Sequence, residues 1–220
     1  MNEDIQRLGY KRLVLKNDKE PAIVAQVREA QRVAAGVEIV DELSHTGDPQ
    51  SNGEAEQAVW TVKSKTISVI TTLERAINRN IPLSHPIVGW AARFAADCVN
   101  RYVTGADGKT VFQRLRGGNH RQPVACFGEA VVFPMLKREK QKWGPEVEHA
   151  GQWAKGIWVG RSWNSNENIV IHANGISRPR TIKRLVAEKK WRADLVEAAD
   201  AMGRRYGPRR RCRGRCCERR

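Results

Sequence analysis

Asp18 and Glu56 are two carboxylates whose sequence settings suit metal chemistry on phosphates. Asp18 follows the apolar run Leu13-Val14-Leu15. Glu56 lies in Ser51-Asn52-Gly53-Glu54-Ala55-Glu56-Gln57, a turn that feeds a long amphipathic helix, and 37 residues separate the two carboxylates. Magnesium takes hard oxygen ligands in octahedral geometry and keeps several waters, so one or two carboxylates plus substrate phosphates can bind it. Two carboxylates far apart in sequence can therefore form half of a site. A strand end and a helix start are rigid platforms, and a helix N-terminus favours a negative side chain. A plainer reading also stands: Glu54 and Glu56 complement the helix dipole, Asn52 or Ser51 caps the helix, and Gly53 eases the turn.

The elements that would position these groups can be read from periodicity. Residues 1–10 look like the last turns of a helix ending at Gly9, and Arg12–Leu15 like a short strand. Pro21–Ala35 reads as a helix with proline at its start, and Val37–Val40 as a second strand. His45–Gly53 is a polar loop containing Gly and Pro. Val59, Val62, Thr66, Val69, Leu73 and Ile77 recur at helical spacing and give a helix over about 54–79 one buried stripe. Glu56, Trp60, Lys63 and Ile67 share another face, where Lys63 is either a phosphate ligand or a solvated surface lysine. Ile87–Tyr102 forms the next helix, with Trp90, Ala91, Phe94, Ala95, Cys98 and Val99 turned inward.

From Phe127 onward the period changes to that of strands. Phe127–Val132, Gly156–Gly160, Asn168–Ile171 and Thr181–Leu185 read as four short strands with polar turns, the pattern of a small all-β barrel. Trp153, Trp158 and Trp163 would mostly fill its core, with stacking on bases as the alternative.

Composition narrows the partner. The net charge is +15 over 220 residues, which points toward a polyanion such as nucleic acid. Residues 203–220 hold nine Arg against one Glu, so the body of the chain is only mildly basic. That tail is too polar to fold alone; it could grip phosphates, act as a nuclear-targeting run, or be read-through sequence. The five cysteines form neither a secreted disulfide framework nor a zinc pattern, and Cys98 is expected in the core. No long apolar run could span a bilayer, and the first residues do not resemble a signal peptide, so an intracellular chain is expected.

The Asp18 segment, Asn52-Gly53-x-x-Glu56, the Phe127-Gly128 strand and the Arg180 to Leu185 strand, in that order, resemble a copia-type retrotransposon integrase. Lys109–Gly117 is similar to the Thr-Pro-Tyr-Glu-x-x-x-Gly segment that follows the core in that family, with Val111 in place of Pro. The resemblance covers about residues 5–195. It implies an α/β chain: a truncated RNase H-like integrase core over residues 1–122, a small SH3-like all-β barrel over 123–195, and a disordered Arg-rich tail over 196–220. It further implies DNA integration by metal-dependent strand transfer, a polynucleotidyl transferase activity. Asp18 and Glu56 would be the catalytic residues and metal ligands, with Mg2+ or Mn2+ as the cofactor. Asn52, Lys63, Lys155, Arg161, Arg178, Arg180, Lys183 and Arg184 would contact DNA. A homo-oligomer working in the nucleus follows from the family, without a membrane or a small-molecule substrate.

The family also needs an Asp on the opening strand of its sheet, well before the second carboxylate. Asp4 is no counterpart, standing only 13 residues ahead of Asp18 in a helical segment. Gln57 occupies the place of the family's usual Arg. Two readings follow. One is a catalytically incomplete downstream part of an integrase; the other is a non-enzymatic basic module that binds nucleic acid. A small ribosomal or membrane-peripheral protein stands third, since basicity alone does not separate one phosphate-bearing partner from another.

Overall fold

Alternation of exposed and half-buried side chains along Arg12–Asn17 (β1) ends at the buried Asn17, as expected for a strand with one covered face. A computed structural model describes residues 5, 6, 8–17, 20–34, 36–43, 53–121, 125–134 and 153–206, with side chains through 199. β1 pairs in parallel with Glu38–Leu43 (β2), Leu13 lying opposite Ile39. A parallel pair needs a crossover, and Pro21–Val33 (α1) supplies it, with Pro21 in its first turn. Val27 and Ala30 are its buried residues, and Ala30 joins Ile5, Ala34 and Ile39 in a small core. Both strands run about two residues longer than the apolar runs suggested. Asn17 Nδ2 donates to Asp41 Oδ1 at 2.5 Å across the pair and extends it into polar sequence.

Gly53–Ile77 (α2) is 25 residues long, about 37 Å at 1.5 Å per residue. Its two halves differ. Residues 53–60 are all exposed, including Val59 and Trp60, whereas Leu73 is 1% exposed and lies in the main core. The stripe expected along the whole helix is therefore buried only toward its C-terminal end. Beyond it, Glu74 Oε1 accepts a hydrogen bond from the Ile81 backbone N–H at 2.7 Å, fixing the turn into Pro86–Tyr102 (α3). Ile87, Ala91 and Ala95 are the buried apolar positions of α3, at i, i+4, i+8 spacing. Cys98 is half-buried, and burial foremost pushes its thiol up to about 11. It is a packing residue rather than a thiolate.

A short helix, Val111–Arg116 (α4), owes its start to Thr110. The Thr110 hydroxyl accepts from the Gln113 N–H at 3.1 Å, and Gln113 Oε1 accepts from the Thr110 N–H at 2.6 Å. Thr110→Ala should lower stability by about 1 kcal/mol, a shift in urea midpoint that leaves the denaturant slope unchanged.

The remaining strands form one antiparallel sheet in the order β6-β5-β4-β3-β7, made of Ala130–Pro134 (β3), Trp153–Arg161 (β4), Asn168–His172 (β5), Gly175–Ser177 (β6) and Lys183–Arg184 (β7). Phe127 and Gly128 belong to the turn before β3 rather than to a strand. Gly128 has φ +78°, and a Cβ there would run into the Leu73 side chain. One face of the sheet buries Ala154, Trp158, Val131, Phe133 and Val170. The other packs Ile157, Val159, Ile169 and Ile171 against α2, α3 and a final helix, Ala193–Tyr206 (α5). This second cluster holds residues from both sides of position 122. The sequence reading extended the tail back to 196, yet Val196 and Ala199 are buried in this core, so the chain is helical and packed there.

Candidate nucleic-acid interface

Glu56 sits in the first turn of α2 and faces an open groove of about 690 Å³ between that helix and the end of β1. Lys16 and Asn17 form the β1 wall, Ile23 of α1 the floor, and Trp60 and Lys63 the helix wall. Asn17 and Glu56 are thus brought to one cavity from opposite ends of the segment that separates them. Asp18 and Asn52 lie outside the described residues, as does the whole of the loop 44–52.

The carboxylate of Glu56 shares the groove with two lysines. Among the described residues, no three His, Cys, Asp or Glu side chains come together as a metal site. One carboxylate beside two ammonium groups, with a carboxamide already bonded to Asp41, is not a donor set for Mg2+ or Mn2+. The described residues do not fit the metal that the resemblance implies.

The basic side chains expected to contact DNA fall into three settings. Lys155 of β4 and Lys183 of β7 are both in register with Val132 of β3, so they stand on the same face of the sheet, both exposed. Trp153, two residues along β4 and 37% exposed, shares that face, with the Lys183 ammonium 4.2 Å from its ring centroid. Arg178 and Arg180 are exposed on the connection between β6 and β7; Arg180 comes no nearer than 4.0 Å to Glu167.

Arg184 and Arg161 are committed elsewhere. Arg184 donates to Glu129 through Nε at 2.6 Å and Nη2 at 3.0 Å. Glu129 is fully buried, and it also accepts from the Cys126 N–H at 2.9 Å and lies 3.6 Å from the Lys190 ammonium. Burial pushes the Glu129 carboxyl up, but the Arg184 hydrogen bonds, the Cys126 N–H and the two cations outweigh it and hold the group below the usual range. Arg161 is half-buried and donates to the Asn166 carbonyl at 3.0 Å, and burial with the nearby Arg101 pulls its pKa down. Its setting is an aromatic cluster that sequence reading did not single out. There the buried Arg101 lies beside the rings of Phe112 and Trp163, which pack edge to face on each other, as do Tyr102 and His120. Arg101 could have been noticed from sequence only through Asp97, four residues earlier on the same helix.

No helix among the described residues is long and apolar enough to cross a membrane. No protein-family model matches the chain. No curated protein matches it either. Among solved structures it is similar to a chain of the simian T-cell lymphotropic virus intasome in complex with PP2A regulatory subunit B56 gamma. The two are 16% identical with a TM-score of 0.39, and the match covers 84% of this chain and 62% of that one. The chain thus spans less than two thirds of the length of that neighbour.

Proposed function

We propose that this chain binds DNA through the exposed end of its antiparallel sheet where Trp153, Lys155 and Lys183 stand, as the downstream part of an integrase-like protein. The observation that carries the reading is the alignment of Lys155 and Lys183 across Val132 with Trp153 beside them, a cationic surface with an aromatic edge. Arg178 and Arg180 extend the charge. The strand order supports a small-barrel reading, since β3 to β6 run as a meander and β7 returns to pair with β3. The parallel β1–β2 pair with its α1 crossover is in keeping with an α/β core. In this reading Asp18 and Glu56 are the remaining catalytic carboxylates. Mg2+ or Mn2+ would need Asp18 as second ligand, and the resemblance adds an oligomer of the chain acting on DNA in the nucleus.

The Lys155→Ala/Lys183→Ala double variant tests the sheet surface. Its duplex affinity should fall for every sequence, and the salt dependence of binding should become shallower by about two in slope, one for each phosphate that is no longer neutralised. Unchanged slope and affinity would remove the sheet from the interface.

The non-enzymatic reading is favoured by the described lining of the groove, which holds one carboxylate and two lysines. Metal dependence separates the two readings. A divalent-metal-requiring nicking or strand-transfer activity lost in Glu56→Gln supports the integrase reading. Salt-sensitive binding that ignores chelators and survives Asp18→Asn supports a binding module alone.

A further inference from the structure

The groove beside α2 contains a side chain that the fold itself does not use. Trp60 is 64% exposed, and Val59 next to it 53%, on a stretch of helix where every residue from 53 to 60 is open to solvent. A large aromatic ring in that setting adds nothing to the core and costs apolar exposure, which marks a contact surface rather than a packing position. What surrounds it specifies the contact. Lys63, one turn further along the helix, shares its face, and Lys16 lines the opposite wall, so a flat ring lies in a cavity of about 690 Å³ with cations on two sides.

We propose that this groove takes an unpaired nucleotide of a nucleic-acid strand, the base stacking on Trp60 and the flanking phosphates held by Lys63 and Lys16. The inference deepens the nucleic-acid reading and rests on it. In a duplex both faces of each base are already stacked, so a ring standing in a groove has nothing to receive until a base is turned out. A single strand offers its bases freely. The ammonium groups complement the phosphates on either side of a stacked base. Glu56, one turn before Trp60, repels phosphate from the helix start and so favours seating the base there. A second copy of the chain, the other candidate for an exposed apolar face, would bring the same lysines against its own net positive charge.

The test uses the full chain and two fluorescent probes, a 12-nucleotide single strand and a 12-base-pair duplex, with Trp60→Ala, Trp60→Phe and the sheet variant Lys155→Ala/Lys183→Ala. Trp60→Ala should weaken single-strand binding about tenfold and leave duplex binding within twofold, with Trp60→Phe retaining most of the affinity. The sheet variant should weaken both probes alike. Equal effects of Trp60→Ala on both probes, or none on either, would overturn the groove assignment while leaving nucleic-acid binding intact. A change in sedimentation on Trp60→Ala without a change in binding would assign the face to a second copy and overturn it too. Failure of the wild-type chain to bind either probe would instead sink the nucleic-acid reading itself. Because Trp60 is exposed, each variant should keep the wild-type melting midpoint.

Discussion

Arg101→Ala is expected to lower the stability of the fold by about 3–5 kcal/mol, read as a large drop in urea midpoint. Arg101 is 5% exposed, and its Nε donates to Asp97 Oδ2 at 2.8 Å. Its guanidinium lies 5.3 Å from the Phe112 ring and 5.2 Å from that of Trp163. One side chain thus joins α3, α4 and the turn after β4. Truncating it opens a cavity beside two rings and leaves Asp97 half-buried without its cation. Burial already pushes the Asp97 carboxyl up, against the lowering by Arg101. Without Arg101 the folded state would hold that proton more tightly than the unfolded chain does, so the variant's stability should fall as pH rises through the carboxylate range. Its deficit relative to wild type should therefore be greater at pH 7 than at pH 4. A pH-independent deficit would mean that packing alone is lost. Arg101→Lys should not restore stability, because an ammonium offers neither the planar stack nor the same fork of donors.

Arg184→Ala should likewise unfold the chain more readily, by about 2–3 kcal/mol, less than a fully buried pair would cost because Arg184 is half exposed and Lys190 and the Cys126 N–H stay beside Glu129. Glu129 in the wild type has a lowered pKa, so its contribution is fully present above the ordinary carboxylate range and is lost as pH falls through the folded value. The variant's deficit should be largest near neutrality and shrink in acid. The contrast with its neighbour is the informative part. Lys183→Ala should leave the melting midpoint in place and weaken DNA binding, whereas Arg184→Ala should lower the midpoint and leave binding per folded molecule unchanged. Equal effects of the two on binding would return Arg184 to the interface.

That contrast also marks what the sequence could reveal. Lys183 and Arg184 are adjacent and chemically similar in sequence, and periodicity assigns both to a basic strand. Glu129, which separates their roles, is 55 positions away from Arg184, and no local pattern connects the two. The apolar content of β5 and α3 made both legible almost to the residue. β6, with Ile176 as its one large apolar side chain, was too short to register. α5 was hidden because Leu195, Val196 and Ala199 are interspersed with charged residues and run on into the Arg-rich tail. At Phe127-Gly128 the strand-like composition misled, since the positive φ of Gly128 belongs to a turn closing over Leu73. The i, i+4, i+7 spacing put Trp60 on one helix face with Glu56 and Lys63, off the apolar stripe. What spacing could not show is the groove that this face shares with Lys16 and Asn17 of β1, while Asp18 and Asn52 lie outside the described residues.

The burial of Val196 and Ala199 beside Leu73 bears on how the molecule is made. During vectorial synthesis α2 and α3 emerge long before the helix that finishes their core, and β3 waits for β7 to cover its edge. Closing a contact such as that of Leu73 with the Val196 segment, more than a hundred residues away, is slow, because loop entropy is lost before packing repays it. The nascent chain therefore carries an open β3 edge until β7 is made and an unfinished apolar face until α5 is, the interval in which aggregation and chaperone capture compete with folding.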